Sequence, residues 1–215
     1  MAVKAKICGL NHPAAVAAAI AGGASHLGFV FYPPSPRYVD PLKAASLAAN
    51  VPAGIVKVGL FVDASDEDIA RVLAEAPLDM LQLQGDETPR RVKDLHRRFN
   101  KPVMKALRVA SAADVAGADE YLPAVDWLLF DAKPPPEMTG ALPGGNAISF
   151  DWSLIAGRSW PKPWMLSGGL NIANLLAAVR TTHATTVDVS SGVEDSPGRK
   201  SPEKITAFLK LVASL

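Results

Sequence analysis

The amino-acid sequence predicts an α/β protein whose chain alternates eight times between strand and helix. Apolar runs rich in β-branched residues alternate with Ala/Leu-rich stretches of helical spacing along the whole length. The strand-like runs are 5–10, 26–32, 55–62, 79–85, 102–109, 127–132, 163–169 and 185–192. The helix-like stretches are 13–22, 40–49, 66–75, 88–98, 111–119, 151–157, 171–180 and 202–214. This pattern is typical of a single (β/α)8 TIM barrel with an all-parallel eight-stranded sheet, which we predict as one domain over residues 1–215.

Local signals support the helix starts. Ser65 precedes an acidic first turn, and Thr88 and Ser201 each precede a proline, as residues that cap helix N-termini do. The competing fold is an open doubly wound sheet, but such a sheet rarely needs eight strands in regular alternation. No GxGxxG motif follows the first strand-like run either.

Composition excludes several classes of protein. Lys and Arg number 22 against 21 Asp and Glu, so nothing points to a nucleic acid or a membrane surface as partner. The single cysteine gives no support to a disulfide-bonded secreted protein, and the N-terminus lacks the apolar stretch of a signal peptide, so we expect a cytoplasmic location. The four histidines have no ligand-like spacing, and we predict no metal site.

The longest segment without periodicity is 133–147, KPPPEMTGALPGGNA, after the sixth strand-like run. Three consecutive prolines and a Gly-Gly pair predict a loop. In a barrel this loop lies on the catalytic face, where it is either a lid or a surface excursion without a role.

Polar residues recur at the predicted strand ends. They are Cys8, Gln84, Asp131, Ser167, Asp188 and Ser190. Since the loops after all eight strands open on one face of a barrel, these side chains are expected around the mouth of one pocket. Cys8 alone could equally be a small buried hydrophobic residue, which is the commoner fate of a free cysteine.

The alternation of side chains along a strand relates one of these residues, Cys8, to two candidate neighbouring cations. Lys6 points to the same face as Cys8, and Lys105 on the fifth strand is a further candidate neighbour. An ammonium group close to a thiol favours the thiolate, so we expect a lowered pKa for Cys8 that would suit it to act as a base.

Two glycine-containing loops suggest a phosphate site. LSGGL (166–170) and VDVSSGVE (187–194) follow the seventh and eighth strands, where barrels frequently bind phosphate. Arg37 lies in the loop YPPSPRY (32–38) after the second strand. An arginine there can hold a carboxylate through two parallel hydrogen bonds, or it is simply a solvated surface charge.

These segments resemble the phosphoribosylanthranilate isomerase family. KICGL (6–10), GFVFYPPSPRYV (28–39), VGLFV (58–62), LQLQGDE (81–87), LLFDA (128–132), FDW (150–152), LSGGLN (166–171) and VDVSSGVEDSPGRK (187–200) carry the resemblance in order through the whole chain. It implies a cofactor-free and metal-free isomerase of tryptophan biosynthesis. Such an enzyme converts N-(5-phosphoribosyl)anthranilate to 1-(2-carboxyphenylamino)-1-deoxyribulose 5-phosphate by an Amadori rearrangement.

The resemblance also implies roles for individual residues. Cys8 corresponds to the general base and Asp131 to the general acid. Substrate-binding positions are Arg37 for the anthranilate carboxylate, Asp188, and Gln84, where many relatives carry histidine. Phosphate-binding positions are Gly168, Gly169, Ser190, Ser191 and Gly192. The family's usual GGTG is replaced by GGNA (144–147), so an anion contact by Gly144 or Gly145 is not expected.

Other functions remain open at the level of sequence. Another phosphate-binding barrel, such as a sugar-phosphate epimerase or an indole-pathway barrel, is the alternative enzyme, and a non-catalytic barrel that binds a phosphorylated metabolite is the alternative class. A second activity on the related aminoimidazole-carboxamide sugar is disfavoured by Cys8, where relatives with two activities generally carry aspartate. The expected partner is a small-molecule substrate, and we expect a monomer in preference to a homodimer.

Overall fold

The computed structural model describes residues 2–215, and in it eight parallel strands close into a barrel. The strands are β1 Lys4–Cys8, β2 His26–Val30, β3 Val56–Phe61, β4 Met80–Leu83, β5 Val103–Val109, β6 Trp127–Ala132, β7 Trp164–Leu166 and β8 Thr186–Val189. Their order round the barrel is their order in the chain, and β8 pairs with β1 to close the sheet. The predicted (β/α)8 fold is confirmed.

Residues 2–215 contain seven α-helices, of which six connect consecutive barrel strands and the last follows β8. They are α1 Pro13–Ala21, α2 Pro41–Ala48, α3 Asp66–Glu75, α4 Pro89–Phe99, α5 Ala112–Ala116, α6 Leu175–Thr182 and α7 Pro202–Val212. The predicted caps are present, since the side chains of Ser65, Thr88 and Ser201 each accept a hydrogen bond from a backbone N–H in the first turn. None of the helices in the described part of the chain is both long and apolar enough to cross a membrane.

The expected sixth helix over 151–157 is wrong. Only a 3-10 helix, Trp152–Leu154, forms there, with Asp151 accepting from the N–H of Ser153. Gly157 has a φ of 72°, a left-handed conformation that ends helical geometry at once. The indole of Trp160 packs instead against the ring of Phe130 at 4.7 Å, so aromatic contacts fix this segment in place of helical packing.

One element was not predicted from the sequence. The chain after β8 folds into a two-stranded antiparallel hairpin, β9 Glu194–Ser196 and β10 Arg199–Lys200, which lies outside the barrel sheet. Gly198 forms its turn with a φ of 82°. A side chain there would collide with the carbonyl oxygen of Pro36, so the turn packs directly on the loop after β2.

The core has two layers. The larger set of buried apolar residues lies between the barrel sheet and the surrounding helices, and includes Leu27, Phe29, Leu81, Phe130 and Phe208. A second cluster contains Val58, Met80, Met104, Ala106, Leu129 and Met165. These six residues come from β3 to β7, so they form an apolar floor inside the barrel. The polar groups described next lie at the carboxyl ends of the same strands.

Candidate active site

A pocket opens where the strands end. It encloses about 710 Å³ of empty space, counted together with the open solvent at its mouth. Its lining includes the polar strand-end residues expected from the sequence: Cys8, Gln84, Asp131, Ser167, Asp188 and Ser190. Arg37 from the loop after β2 also contributes, as do residues 142–146 of the long loop after β6. The sequence therefore located this pocket correctly.

Cys8 lies at the end of β1 beside a buried ion pair. Nζ of Lys6 donates to Oδ1 of Asp188 at 2.7 Å, and the hydroxyl of Ser167 donates to Oδ2 of Asp188 at 3.1 Å. Gly28 on β2 is in register with Cys8. A Cβ at that position would lie 3.0 Å from the Cys8 sulfur and 3.2 Å from the Lys6 side chain, so the glycine leaves room for both.

Burial changes the expected protonation of the thiol. The Cys8 side chain is removed from water, and this raises its pKa above the ordinary value. The positive charges of Lys6 and Lys200 act in the opposite direction, but the negative charge of Asp188 reinforces the burial. The expectation that Lys6 would lower the pKa of Cys8 below its ordinary value is wrong, because burial of the thiol, reinforced by the charge of Asp188, outweighs the effect of the Lys6 ammonium group.

Lys6 itself keeps its proton. Its side chain is fully buried, which by itself would lower the pKa of the amine. The charge of Asp188 and its hydrogen bond to Lys6 contribute most to offsetting this effect, and the pKa of Lys6 is raised. A buried ion pair between Lys6 and Asp188 therefore lies beside the thiol.

Lys105 is not a neighbour of the Cys8 thiol. Its Nζ donates to the carbonyl oxygens of Leu83 and Gly85, at 3.3 and 2.7 Å, and to Oε2 of Glu87 at 2.8 Å. These three acceptors match the three hydrogens of the ammonium group. Lys105 thus fixes the loop after β4, and the suggestion that it accompanies Cys8 is wrong.

Asp131 is the carboxyl group on the other side of the pocket. It lies at the end of β6, and the path β1–β8–β7–β6 places it three strands from Cys8. Its Oδ1 accepts from the N–H of Ala132 at 2.9 Å and its Oδ2 from Nε2 of Gln84 at 2.8 Å. Burial, reinforced by the charge of Asp188, raises the pKa of Asp131 to about 7, with the two hydrogen bonds partly offsetting the effect. Near neutral pH this carboxyl group can hold or release a proton.

Arg37 is held more firmly than a solvated surface charge. Its Nε and Nη2 donate to the two carboxylate oxygens of Glu194, at 2.8 and 2.9 Å, and Nη2 also donates to the carbonyl oxygen of Gly145 at 3.0 Å. One edge of the guanidinium group is therefore already occupied by two parallel bonds, made to a protein carboxylate. A substrate carboxylate can approach only through the edge that includes Nη1.

Glu194 and Lys200 of the hairpin complete this network. Nζ of Lys200 donates to Oε1 of Glu194 at 2.6 Å and to the backbone and hydroxyl oxygens of Ser190, at 3.0 and 3.1 Å. Burial lowers the pKa of Lys200 to about 8 despite its pairing with Glu194. Sequence reasoning missed both residues. The available signal was the Pro-Gly pair at 197–198, which is typical of a turn.

The two glycine-containing loops meet at one side of the pocket. Gly168 and Gly169 have φ values of 87° and 61°, and Ser191–Val193 forms a 3-10 helix. A methyl group on Gly192 would overlap the carbonyl oxygen of Leu170, so the loops after β7 and β8 are in direct contact. The five residues assigned to phosphate binding by resemblance, Gly168, Gly169, Ser190, Ser191 and Gly192, lie together in these two loops.

Comparison with known proteins agrees with this architecture. Residues 5–211 match the sequence model of N-(5'phosphoribosyl)anthranilate (PRA) isomerase. The N-(5'-phosphoribosyl)anthranilate isomerase of Rhodospirillum centenum is 56% identical over 215 residues, covering 100% of both chains. The crystal structure of phosphoribosyl anthranilate isomerase from Thermotoga maritima has a TM-score of 0.86 at 34% identity, covering 99% of this chain and 100% of that one.

A further solved structure holds a ligand. It is a phosphoribosyl anthranilate isomerase in complex with reduced 1-(o-carboxyphenylamino)-1-deoxyribulose 5-phosphate, with a TM-score of 0.83 at 32% identity and coverage of 99% and 100%. The matched family description covers nearly the whole chain, and the relatives align from end to end. The chain belongs to the N-(5'-phosphoribosyl)anthranilate isomerase family.

Proposed function

We propose that the chain isomerises N-(5'-phosphoribosyl)anthranilate to 1-(2-carboxyphenylamino)-1-deoxyribulose 5-phosphate in tryptophan biosynthesis, with Asp131 as general acid and Cys8 as general base. The proposal rests on one observation, the presence of an acid and a potential base in the same pocket. A carboxyl group with a pKa of about 7 and a thiol lie on β6 and β1 of one pocket, and family membership supplies the substrate.

Asp131 acts first in this scheme. It transfers its proton to the ribose ring oxygen, the bond from that oxygen to the anomeric carbon breaks, and a Schiff base forms between the sugar and the anthranilate nitrogen. The carboxylate left behind keeps two donors, the N–H of Ala132 and Nε2 of Gln84. These hydrogen bonds stabilise the charge that develops on Asp131 as the ring opens.

Cys8 then removes the proton from the adjacent sugar carbon. The electron pair of that C–H bond moves toward the iminium nitrogen and gives an enolamine, which tautomerises to the ketone. Burial makes the neutral thiol the favoured form of Cys8, so its thiolate is a minority species with a strong affinity for a proton. The ammonium groups of Lys6 and Lys200 provide the positive charge that makes this thiolate attainable.

The remaining groups bind the two ends of the substrate. Backbone N–H groups of the loops after β7 and β8 suit the phosphate. These loops contain the five residues assigned to it, Gly168, Gly169, Ser190, Ser191 and Gly192. The edge of Arg37 that includes Nη1 suits the anthranilate carboxylate. Asp188, paired with Lys6 at the floor, contacts the sugar between them, and Gln84 lies beside the acid.

The test is isomerase activity, followed by the loss of anthranilate fluorescence after freshly made phosphoribosylanthranilate is added. Cys8→Ser and Asp131→Asn should each reduce kcat by about 10²- to 10⁴-fold, the usual contribution of a general base or acid. Both variants should still bind the reduced product analogue, because neither substitution removes an Arg37 or phosphate contact. Asp94→Asn, an exposed carboxylate of α4 paired with Arg90, is the matched control and should keep full activity. An inactive parent protein, or a Cys8→Ser variant as fast as its parent, would overturn the assignment.

A further inference from the structure

Gln82 of β4 and Gln84, which follows the end of that strand, form a chain of amide groups that ends on Asp131. Gln82 and Gln84 are two residues apart and so point to the same face of the strand. Nε2 of Gln82 donates to Oε1 of Gln84 at 2.7 Å, and Nε2 of Gln84 donates to Oδ2 of Asp131 at 2.8 Å. Both glutamines are buried. The chain therefore has a direction, with every N–H pointing toward the acid.

The far end of this chain is incomplete. Oε1 of Gln82 is buried and has no hydrogen-bond partner within residues 2–215. Gln82 is 1% exposed, and it lines the same pocket as Asp131. Such unsatisfied buried acceptors are rare and call for an explanation. The Gln82 amide can donate to Oε1 of Gln84 only in the orientation shown, and this orientation leaves Oε1 of Gln82 without a donor.

The reverse orientation of Gln84 would have a chemical consequence. If its amide turned over, Oε1 would take the place of Nε2, 2.8 Å from Oδ2 of Asp131. A carbonyl oxygen there would accept the acidic hydrogen of a protonated Asp131. The carbonyl oxygen of Pro143, 3.3 Å from Nε2, would then face another oxygen and lose its donor.

We propose that Gln82 is a positioning residue, which keeps the Gln84 amide from turning and so leaves the acidic hydrogen of Asp131 directed into the pocket. The proposal rests on the function proposed above, in which Asp131 is the general acid. Oδ1 and Oδ2 of Asp131 already accept from Ala132 and Gln84, so an O–H on either oxygen has the pocket as its remaining direction. Because Gln82 does not contact the reacting atoms in this scheme, its effect passes through Gln84.

Several other groups influence the protonation of Asp131, and they stay unchanged in the test. Asp188 on β8 and Lys6 on β1 face it across the barrel, and Cys8 lines the same pocket. Directly after β7, the hydroxyl of Ser167 lines the same pocket, does not titrate and donates to Asp188. Arg108 of β5, in register with Asp131, pairs with Asp86.

The experiment replaces Gln82 by Met, which has similar length and no amide. Its neighbours in register are Leu60 and Met104, so an apolar side chain fits the site, and Gln82→Leu provides a second variant. Without the hydrogen bond from Gln82 to Gln84, kcat should fall by about tenfold to a hundredfold while KM changes by less than about twofold. This is the pattern expected when a general acid directs its proton away from the substrate. The pKa of Asp131, read from the ¹³C resonance of its carboxyl carbon, should rise by about one unit, because a turned Gln84 stabilises the protonated acid.

Two further variants separate this role from a structural one. Gln84→Met removes the amide that could capture the proton, so adding Gln82→Met to it should change neither kcat nor the Asp131 titration further. Met80→Leu alters the same face of β4 without touching the amide chain and should leave both unchanged.

The result that overturns the proposal is a Gln82→Met protein with the parent's Asp131 titration, or one whose loss of kcat persists unchanged in the Gln84→Met background. Failure of the proposed function is seen separately. In that case Asp131→Asn retains its activity, whatever substitution is present at position 82.

Discussion

Replacing Asp131 by Asn should stabilise the protein while it removes the proposed acid. The pKa of Asp131 is raised from its ordinary value of 3.8 to about 7 in the folded state. A raised carboxyl pKa means that the unfolded chain ionises more readily than the folded one. The resulting destabilisation is absent well below pH 3.8, grows between pH 3.8 and 7, and is complete above 7.

The size of this destabilisation follows from the difference between the pKa of Asp131 in the unfolded and in the folded protein. A shift from 3.8 to about 7 at about 1.36 kcal/mol per unit corresponds to about 4 kcal/mol of lost stability at pH 8. At pH 4.5 the same two values leave a loss of about 1 kcal/mol. Asn has only one oxygen for the two donors Ala132 N and Gln84 Nε2, which costs about 1 kcal/mol at either pH. We therefore expect Asp131→Asn to gain about 3 kcal/mol at pH 8 and almost nothing at pH 4.5.

The assay is urea-induced unfolding of parent and variant at both pH values, with the free energies of unfolding compared. Asp114→Asn is a control of opposite sign. Hydrogen bonds from Lys133, from the N–H group of Ala110 and from the hydroxyl group of Ser111 lower the pKa of Asp114 to about 2, outweighing its partial burial. Both test pH values lie above 2 and above 3.8, so its substitution should destabilise by nearly equal amounts at each. An Asp131→Asn variant whose gain is the same at pH 4.5 and 8, or that is less stable than the parent at pH 8, would refute the reasoning.

Two further substitutions test the packing around the pocket. Lys6→Met should cost about 3–5 kcal/mol of stability by leaving Asp188 buried without its partner, and should slow alkylation of Cys8 at pH 8 by raising the thiol pKa further. The half-exposed pair Lys57–Asp79 is its control, and Lys57→Met should cost less than about 1 kcal/mol; equal costs at the two sites would contradict the burial argument. Gly192→Ala should destabilise by about 2 kcal/mol and raise KM, because its methyl group forces the loops after β7 and β8 apart. Gly117→Ala, where an added Cβ meets nothing within 4 Å, should be neutral, and a Gly192→Ala protein with unchanged KM would argue against a ligand between those loops.

The strands and most helix starts were predictable because their causes are local. Alternating apolar runs identify β1 to β8, and a hydroxyl side chain ahead of an acidic or proline-containing first turn identifies the starts of α3, α4 and α7. The carboxyl ends of parallel strands must share one face, so the positions of Cys8 and Asp131 in the pocket followed directly. No knowledge of side-chain packing was needed for either conclusion.

The electrostatic partners were not predictable in the same way. Strand alternation places Lys6 beside Cys8, but it does not show that Asp188, 182 positions away, takes the ammonium group as its partner. Arg37 and Glu194 are 157 positions apart, and only the folded hairpin brings their side chains together. The protonation states of the site depend on such distant pairs and on depth of burial, neither of which is a property of a short segment.

The burial of Cys8 has a consequence for the lifetime of the protein. Oxidants and electrophiles attack the thiolate, and a cysteine whose pKa lies above the ordinary value is almost entirely a thiol at neutral pH. Its sulfur is also at the bottom of a pocket, with only 5% of the residue exposed. The only cysteine of the chain therefore reacts slowly with oxidants and electrophiles when no substrate is bound. We expect peroxide to inactivate this protein far more slowly than it inactivates enzymes whose cysteine is ionised at rest.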